Sequence, residues 1–168
     1  MSLLRNARTA VRLAVRPILE RLERRQKTPF YTSLHSNCDP ELHLREAAGW
    51  LTRAQEAGTD RGVAYGADFG QDFLPSYPET TGYVICTFLD LANHYGESDY
   101  RRRAVQMGEW ESDIQMGSGA VMGGMYNTNP TPSVFNTGMV LLGWAALLRE
   151  TGSERFRISG KRAANWLL

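Results

Sequence analysis

The chain has 168 residues, 42% of them hydrophobic and 22% charged, which suits one ordinary soluble domain with a real core. Its net charge of +1 hides an asymmetry: residues 1–27 carry eight basic groups against Glu20 and Glu23, +6, so the remainder is +1 − 6 = −5. A mildly acidic body argues against nucleic acid as a partner.

Two cysteines, Cys38 and Cys86, fit neither a disulfide framework nor a zinc spacing. The N-terminus has arginines but no apolar core or small-residue cleavage site, so it does not read as a secretory signal. The longest apolar run, Met139 to Leu148, is too short to span a bilayer. Together these point to a cytoplasmic setting.

Residues 1–27 place Leu4, Val11, Val15, Ile18, Leu19 and Leu22 at helical steps between arginines, with a bend or restart at Pro17. This predicts a basic amphipathic arm. It suits packing on the domain's flank, contact with a partner protein, or peripheral contact with anionic lipid on the inner membrane face. Residues 28–38 read as a linker. Asp39-Pro40 then signals a helix start, with Asp39 as cap and Pro40 in the first turn. That helix runs through Leu44, Ala47, Ala48, Leu51 and Ala54 and stops near Gly58.

Between Gly58 and Pro78 lies a loop with four glycines, the aromatics Tyr65, Phe69 and Phe73, and the acids Asp60, Asp68 and Asp72. A loop of this length in a compact domain is usually functional. From Thr81 to Tyr95 a helix is apolar nearly all round, so other helices must enclose it. An amphipathic helix follows from Tyr100 to Gln115, with Arg101, Arg102, Arg103, Glu109, Glu111 and Asp113 expected outward. A second glycine-rich loop, 117–136, leads into an apolar helix from Thr137 to Leu148. Another amphipathic helix starts near Glu154.

These elements repeat. When residues 81–112 are laid on 137–168, seven of the 32 pairs are identical, including Thr81/Thr137, Gly82/Gly138 and Trp110/Trp166. Random pairing gives about two at ordinary residue frequencies. Trp50 and Gln55 share the spacing of Trp110 and Gln115, a third partial copy. The predicted repeats are 39–80, 81–136 and 137–168. Alternating buried and half-exposed helices satisfy both kinds of face when inner helices form a ring sheathed by outer ones. The predicted fold is therefore an all-α, α/α toroid, with an open solenoid as the alternative. Both long loops then gather at the N-termini of the inner helices. Two and a half hairpins do not close a ring, so the remaining repeats are expected in a longer chain or from association.

The recurring Trp-x-x-x-x-Gln followed by glycine, at 50–55 and 110–115, resembles the Gln–Trp repeats of the terpenoid cyclase and protein prenyltransferase toroid superfamily. Gly62-Val63-Ala64-Tyr65 and Ser76 to Tyr83 resemble bacterial toroid proteins associated with surface-polysaccharide synthesis. Related helical toroids include glycoside hydrolases and polysaccharide lyases. The likeness spans residues 40–168 and implies the fold before the reaction. The Asp-x-Asp-Asp acid motif of squalene-type cyclases is absent. Prenyltransferase β subunits hold zinc with Asp, Cys and His. Here Cys86, Asp90 and His94 stand at four-residue steps on one helix, a different layout, so neither a metal nor a cofactor is expected.

Glu79, between Tyr77 and Tyr83 at the mouth of an inner helix, is the leading candidate for catalysis, with Asp72 as a partner carboxylate or Tyr77 as a base. Tyr65, Asp68, Phe73, Tyr83, Tyr126 and Asn136 are the expected ligand contacts: aromatics to stack on sugar rings, and Asn136 to bind a uronate carboxylate. A helix-capping role for Glu79 is the structural alternative. The expected activity is on a carbohydrate in surface-polysaccharide metabolism. An isoprenoid-handling toroid and a non-catalytic scaffold are the other two readings.

Overall fold

The computed structural model describes residues 39–68, 70, 72–126 and 130–168. The basic arm at 1–27, the linker at 28–38 and Phe69 lie outside the described residues. Contacts divide the chain into two compact units, Met1–Arg45 and Glu46–Leu168, with the boundary inside the first described helix.

That helix, α1, spans Pro40–Glu56. The Asp39 carboxylate accepts the backbone N–H of Glu41 at 3.0 Å, the cap that the Asp-Pro pair predicts. Arg45 pairs with Glu41 one turn earlier.

In the second unit, α2 (Pro78–Tyr95) and α3 (Ser98–Ile114) form one hairpin, and α4 (Val134–Thr151) and α5 (Glu154–Leu167) form another. The chain is thus mostly helical, with one two-stranded sheet among the described residues: β1 (Met122–Gly123) pairs antiparallel with β2 (Thr131–Pro132). The repeat is in register. Starts move from 78 to 134 and from 98 to 154, and the inner helix end moves from 95 to 151, a constant 56 residues. Gly96 and Gly152 end the inner helices at φ 69° and 66°, a left-handed turn that glycine adopts without strain.

The two inner helices begin one turn earlier than Thr81 and Thr137. Pro78 supplies a preset φ at the first helical position of α2, and the Ser133 hydroxyl caps α4 by accepting the Asn136 N–H. Glu79 accordingly lies within the first turn of α2 rather than ahead of it.

α2 and α4 pack on each other, α3 covers α2, α5 covers α4, and α3 also touches α5. Ile85, Phe88, Val140, Trp144 and Leu147 of the inner pair are wholly buried. Each such side chain contributes about 1.5–3 kcal/mol of hydrophobic free energy. Met107 and Phe156 close the core from the outer helices. The end of α1 joins the outer layer beside α3, where Arg103 hydrogen-bonds Gln55 Oε1 at 3.1 Å and pairs with Glu56.

Glu111 departs from its expected place. It is completely buried, not outward, because it falls on the stripe Ala104–Met107–Gly108–Glu111, whose three- and four-residue steps face the core. Cys86 is half-buried, and burial raises its thiol pKa.

Candidate functional site

Each inner helix is entered through the same hydrogen-bonded joint. Thr81 Oγ1 accepts the Val63 N–H at 2.9 Å and donates to the Tyr77 carbonyl at 2.9 Å. Thr137 Oγ1 accepts the Val121 N–H at 2.9 Å and donates to the Ser133 carbonyl at 2.6 Å. Backbone bonds from Tyr77 N–H to the Val63 carbonyl and from Ser133 N–H to the Val121 carbonyl close both loops at the base. What reads in sequence as two glycine-rich loops is therefore two hairpin-like excursions. The first carries bridges at Ala64–Ser76 and Ala67–Phe73, and the second carries the β1–β2 pair.

Thr81→Val keeps the shape of that side chain and removes its oxygen. The buried Val63 N–H is then left without a partner, a cost of about 1–3 kcal/mol. We expect the Val63 amide to exchange far faster in hydrogen-exchange NMR while amides in the middle of α4 keep their protection.

The two glutamines tie outer helices to these loops. Gln55 Nε2 donates to the carbonyls of Arg61 at 3.5 Å and Arg103 at 3.3 Å. Gln115 Nε2 donates to those of Gly119 at 2.9 Å and Ser159 at 3.0 Å. The Trp-x-x-x-x-Gln signature is in this respect a loop tether. Trp110 is buried against Tyr126, with ring centroids 5.6 Å apart, and Trp50 lies 5.7 Å from Phe73.

The two loops meet. The Tyr126 N–H donates to the Ser76 carbonyl at 2.7 Å, one residue before Tyr77. Around that junction the expected site residues separate into groups. Tyr65 and Tyr77 stand edge to face at 5.1 Å, and Tyr65 is 55% exposed. Glu79 and Tyr83 are neighbours one turn apart on α2. The Tyr83 phenol is held above its usual pKa by partial burial first and then by the charge and hydrogen bonding of Glu79.

Other expected residues take structural work. Asp68 Oδ1 accepts the N–H groups of Gly70 at 2.7 Å and Asp72 at 3.1 Å, so its carboxylate organises the tip of the first hairpin. Asp60 does the same lower down, accepting the Gly62 N–H at 3.1 Å and the Ser76 hydroxyl at 2.8 Å. Asn136 is buried. Its Nδ2 donates to the Met122 carbonyl at 3.0 Å and its Oδ1 accepts from Ser133 Oγ at 3.0 Å. Both ends of that amide are committed inside the protein, so Asn136 tethers the second hairpin rather than facing a ligand. Asp72 is exposed at the tip of the first hairpin, while Glu79 follows its base. The structure does not bring this pair of carboxylates together.

A cavity of about 320 Å³ lies apart from these residues, between the end of α1 and α3, lined by Gln55, Glu56, Arg61, Arg102, Arg103 and Gln106 among others. Its arginines are paired: Arg61 with Glu109 and Asp113, Arg102 with Asp99, and Arg103 with Glu56 and Asp99. Arg61 adopts φ 76°, in the turn that Gln55 holds. We read this cleft as a charge-balanced seam between outer helices. Among the described residues no three of His, Cys, Asp and Glu converge as a metal site would need, and no helix is long and apolar enough to cross a membrane.

Compared with known proteins, the chain matches no family model, no curated protein and no solved structure.

Proposed function

We propose that this chain is part of a carbohydrate-acting α/α toroid, with its site where the two hairpins meet the N-terminus of α2. The observation that carries the reading is the edge-to-face pair of exposed Tyr65 and half-buried Tyr77, the latter two residues ahead of a first-turn carboxylate, Glu79. Aromatic faces bind the apolar C–H faces of sugars, and a carboxylate within reach serves as hydrogen-bond acceptor or general acid–base. Asp60, Asp68 and Asn136 organise the loops, which leaves Tyr65, Tyr77, Glu79 and Tyr83 as the working set.

The closed ring is likewise our inference. Support comes from the in-register repeat, with α2 and α4 packed as an inner layer and α3, α5 and the end of α1 placed outside them.

The test is a titration with neutral and uronate-containing oligosaccharides, followed by calorimetry and by product analysis. We expect binding in which Tyr65→Ala and Tyr77→Ala each weaken affinity about tenfold, equivalent to about 1.4 kcal/mol. Where turnover is seen, Glu79→Gln should lower it by about 10²–10⁴ with little change in affinity, the usual loss of a general acid–base. Binding of prenyl diphosphates in place of sugars would sustain the isoprenoid reading and overturn this one. Absence of both ligands would leave a scaffold.

A further inference from the structure

The two inner helices are equivalent in sequence and in register, yet one face that is covered on α2 is bare on α4. On α2, Pro78 and Gly82 are buried. A Cβ placed on Gly82 would lie 3.0 Å from backbone atoms of Met139 and Val140, so the glycine is what lets α4 approach this closely. The residues 56 positions on are Val134 and Gly138. Val134 is 69% exposed, and a Cβ on Gly138 would meet nothing within 4 Å. Leu142, one turn further along the same stripe, is 57% exposed, and Phe135 beside it is 55% exposed. An apolar stripe of this kind, containing a close-approach glycine that none of the described residues approaches, has the form of an unfilled contact.

We infer that this face of α4 is the seat of a further helical hairpin of the same repeat, whose inner helix crosses Gly138 as α4 crosses Gly82. The inference rests on the repeat and is independent of the carbohydrate reading. Its support is continuity with the α2–α4 interface, which the stripe extends by one unit.

The same geometry says what the occupant must carry. The receiving surface for α2 is Met139, Val140 and Gly143, and a Cβ on Gly143 would lie 2.9 Å from Ile85 Cδ1 and 3.1 Å from the Gly82 carbonyl. The incoming helix therefore needs a glycine or alanine at that crossing. In the register of the repeat a second copy of this chain does not offer one, since its bare glycine, Gly138, lies on the receiving face itself. Its α4 is already seated on its own α2, and its α2 presents Thr87 at the position of Gly143. A β-branched side chain does not fit so tight a crossing.

The experiment extends the full chain with a duplicate of residues 113–168 fused after Leu168, which supplies Gly143 at the required place. We expect the fusion to unfold several degrees higher than the native chain and to bind severalfold less of a hydrophobic dye. Gly138→Leu should abolish both gains in the fusion while leaving the midpoint of the native chain unchanged or slightly raised. A fusion that neither gains stability nor loses dye binding overturns the proposal. So does self-association of the native chain that Gly138→Leu removes, which would make a second copy the occupant. So, too, does cross-linking of position 142 to residues 1–38, which would give the seat to the chain's own N-terminal segment.

Discussion

We expect Glu111→Leu to raise the stability of this protein by about 1–3 kcal/mol, the cost of an unsatisfied buried polar group that the leucine removes. For a chain of this size that is a rise in thermal midpoint of roughly 2–12 °C. Neither carboxylate oxygen of Glu111 has a hydrogen-bond partner, and the side chain is wholly buried. An unsatisfied buried polar group costs about 1–3 kcal/mol even when neutral, and ionising it there costs more. Burial alone lifts its pKa well above the ordinary 4.5, with no ionised neighbour to oppose it. The repeat suggests the replacement, because the equivalent residues are Leu51 and Leu167.

The sign of the pH dependence follows from the direction of that shift. The native state holds the proton more tightly than the unfolded chain does. This contribution is therefore fully present below about pH 4.5 and is lost as pH rises through the elevated native pKa. Denaturant unfolding across pH 4 to 9 should show that decline in the native chain and not in Glu111→Leu. A leucine variant that is less stable than the native chain would mean that the carboxyl has a partner or a task in the folded state.

Trp144→Ala has the opposite effect and a larger one, a loss of about 3–5 kcal/mol. Trp144 is wholly buried at the meeting of three helices, and its indole N–H donates to the Gly108 carbonyl of α3 at 3.1 Å. Gly108 has no space of its own to give. A Cβ there would lie 2.1 Å from Leu147 Cδ1 and 3.0 Å from Phe156 Cε1, so α4 and α5 already fill the gap. Removing the indole leaves a cavity that neither neighbour can fill without moving backbone, while the Gly108 carbonyl keeps its bond from Ser112 Oγ at 2.9 Å. Against a typical total stability of about 5–15 kcal/mol, the variant should be largely or partly unfolded at 37 °C by circular dichroism. Trp144→Phe, which keeps most of the volume, should fold with a smaller loss.

How far the fold was legible in the sequence depends on the range of the interactions involved. The five described helices, the Asp39 cap and the 56-residue register follow from local pattern and self-similarity, which one chain displays. The shared spacing of Gln55 and Gln115 was legible for the same reason, whereas the loop carbonyls that they tether were not. Loop pairing was not legible. Bridges such as Ala64–Ser76 depend on the Thr81 and Thr137 joints, and short segments with little alternation carry no strand signal.

Glu111 was missed by judging the residue type ahead of its position. The steps from Ala104 to Glu111 place it inward, and only its charge suggested otherwise. In the candidate site, the aromatics and Glu79 could be named from sequence. The commitment of Asp68 and Asn136 to loop amides could not, because a free and a bonded carboxylate or amide are spelled alike.

The joints beneath the hairpins bear on how such a protein can change. Both are closed at the base, by Val63 with Tyr77 and by Val121 with Ser133, and the threonine bridge lies below everything that reaches outward. Residues beyond these clasps can lengthen, shorten or be exchanged while the helices keep their spacing. Each doubling of loop length costs only about 0.6 kcal/mol in closure entropy. The first excursion already runs longer than the second, 13 residues between its clasps against 11, on an unaltered helical frame. New specificities can thus be grafted onto the tips one at a time, with the clasp as the natural splice point for a designer and for evolution alike.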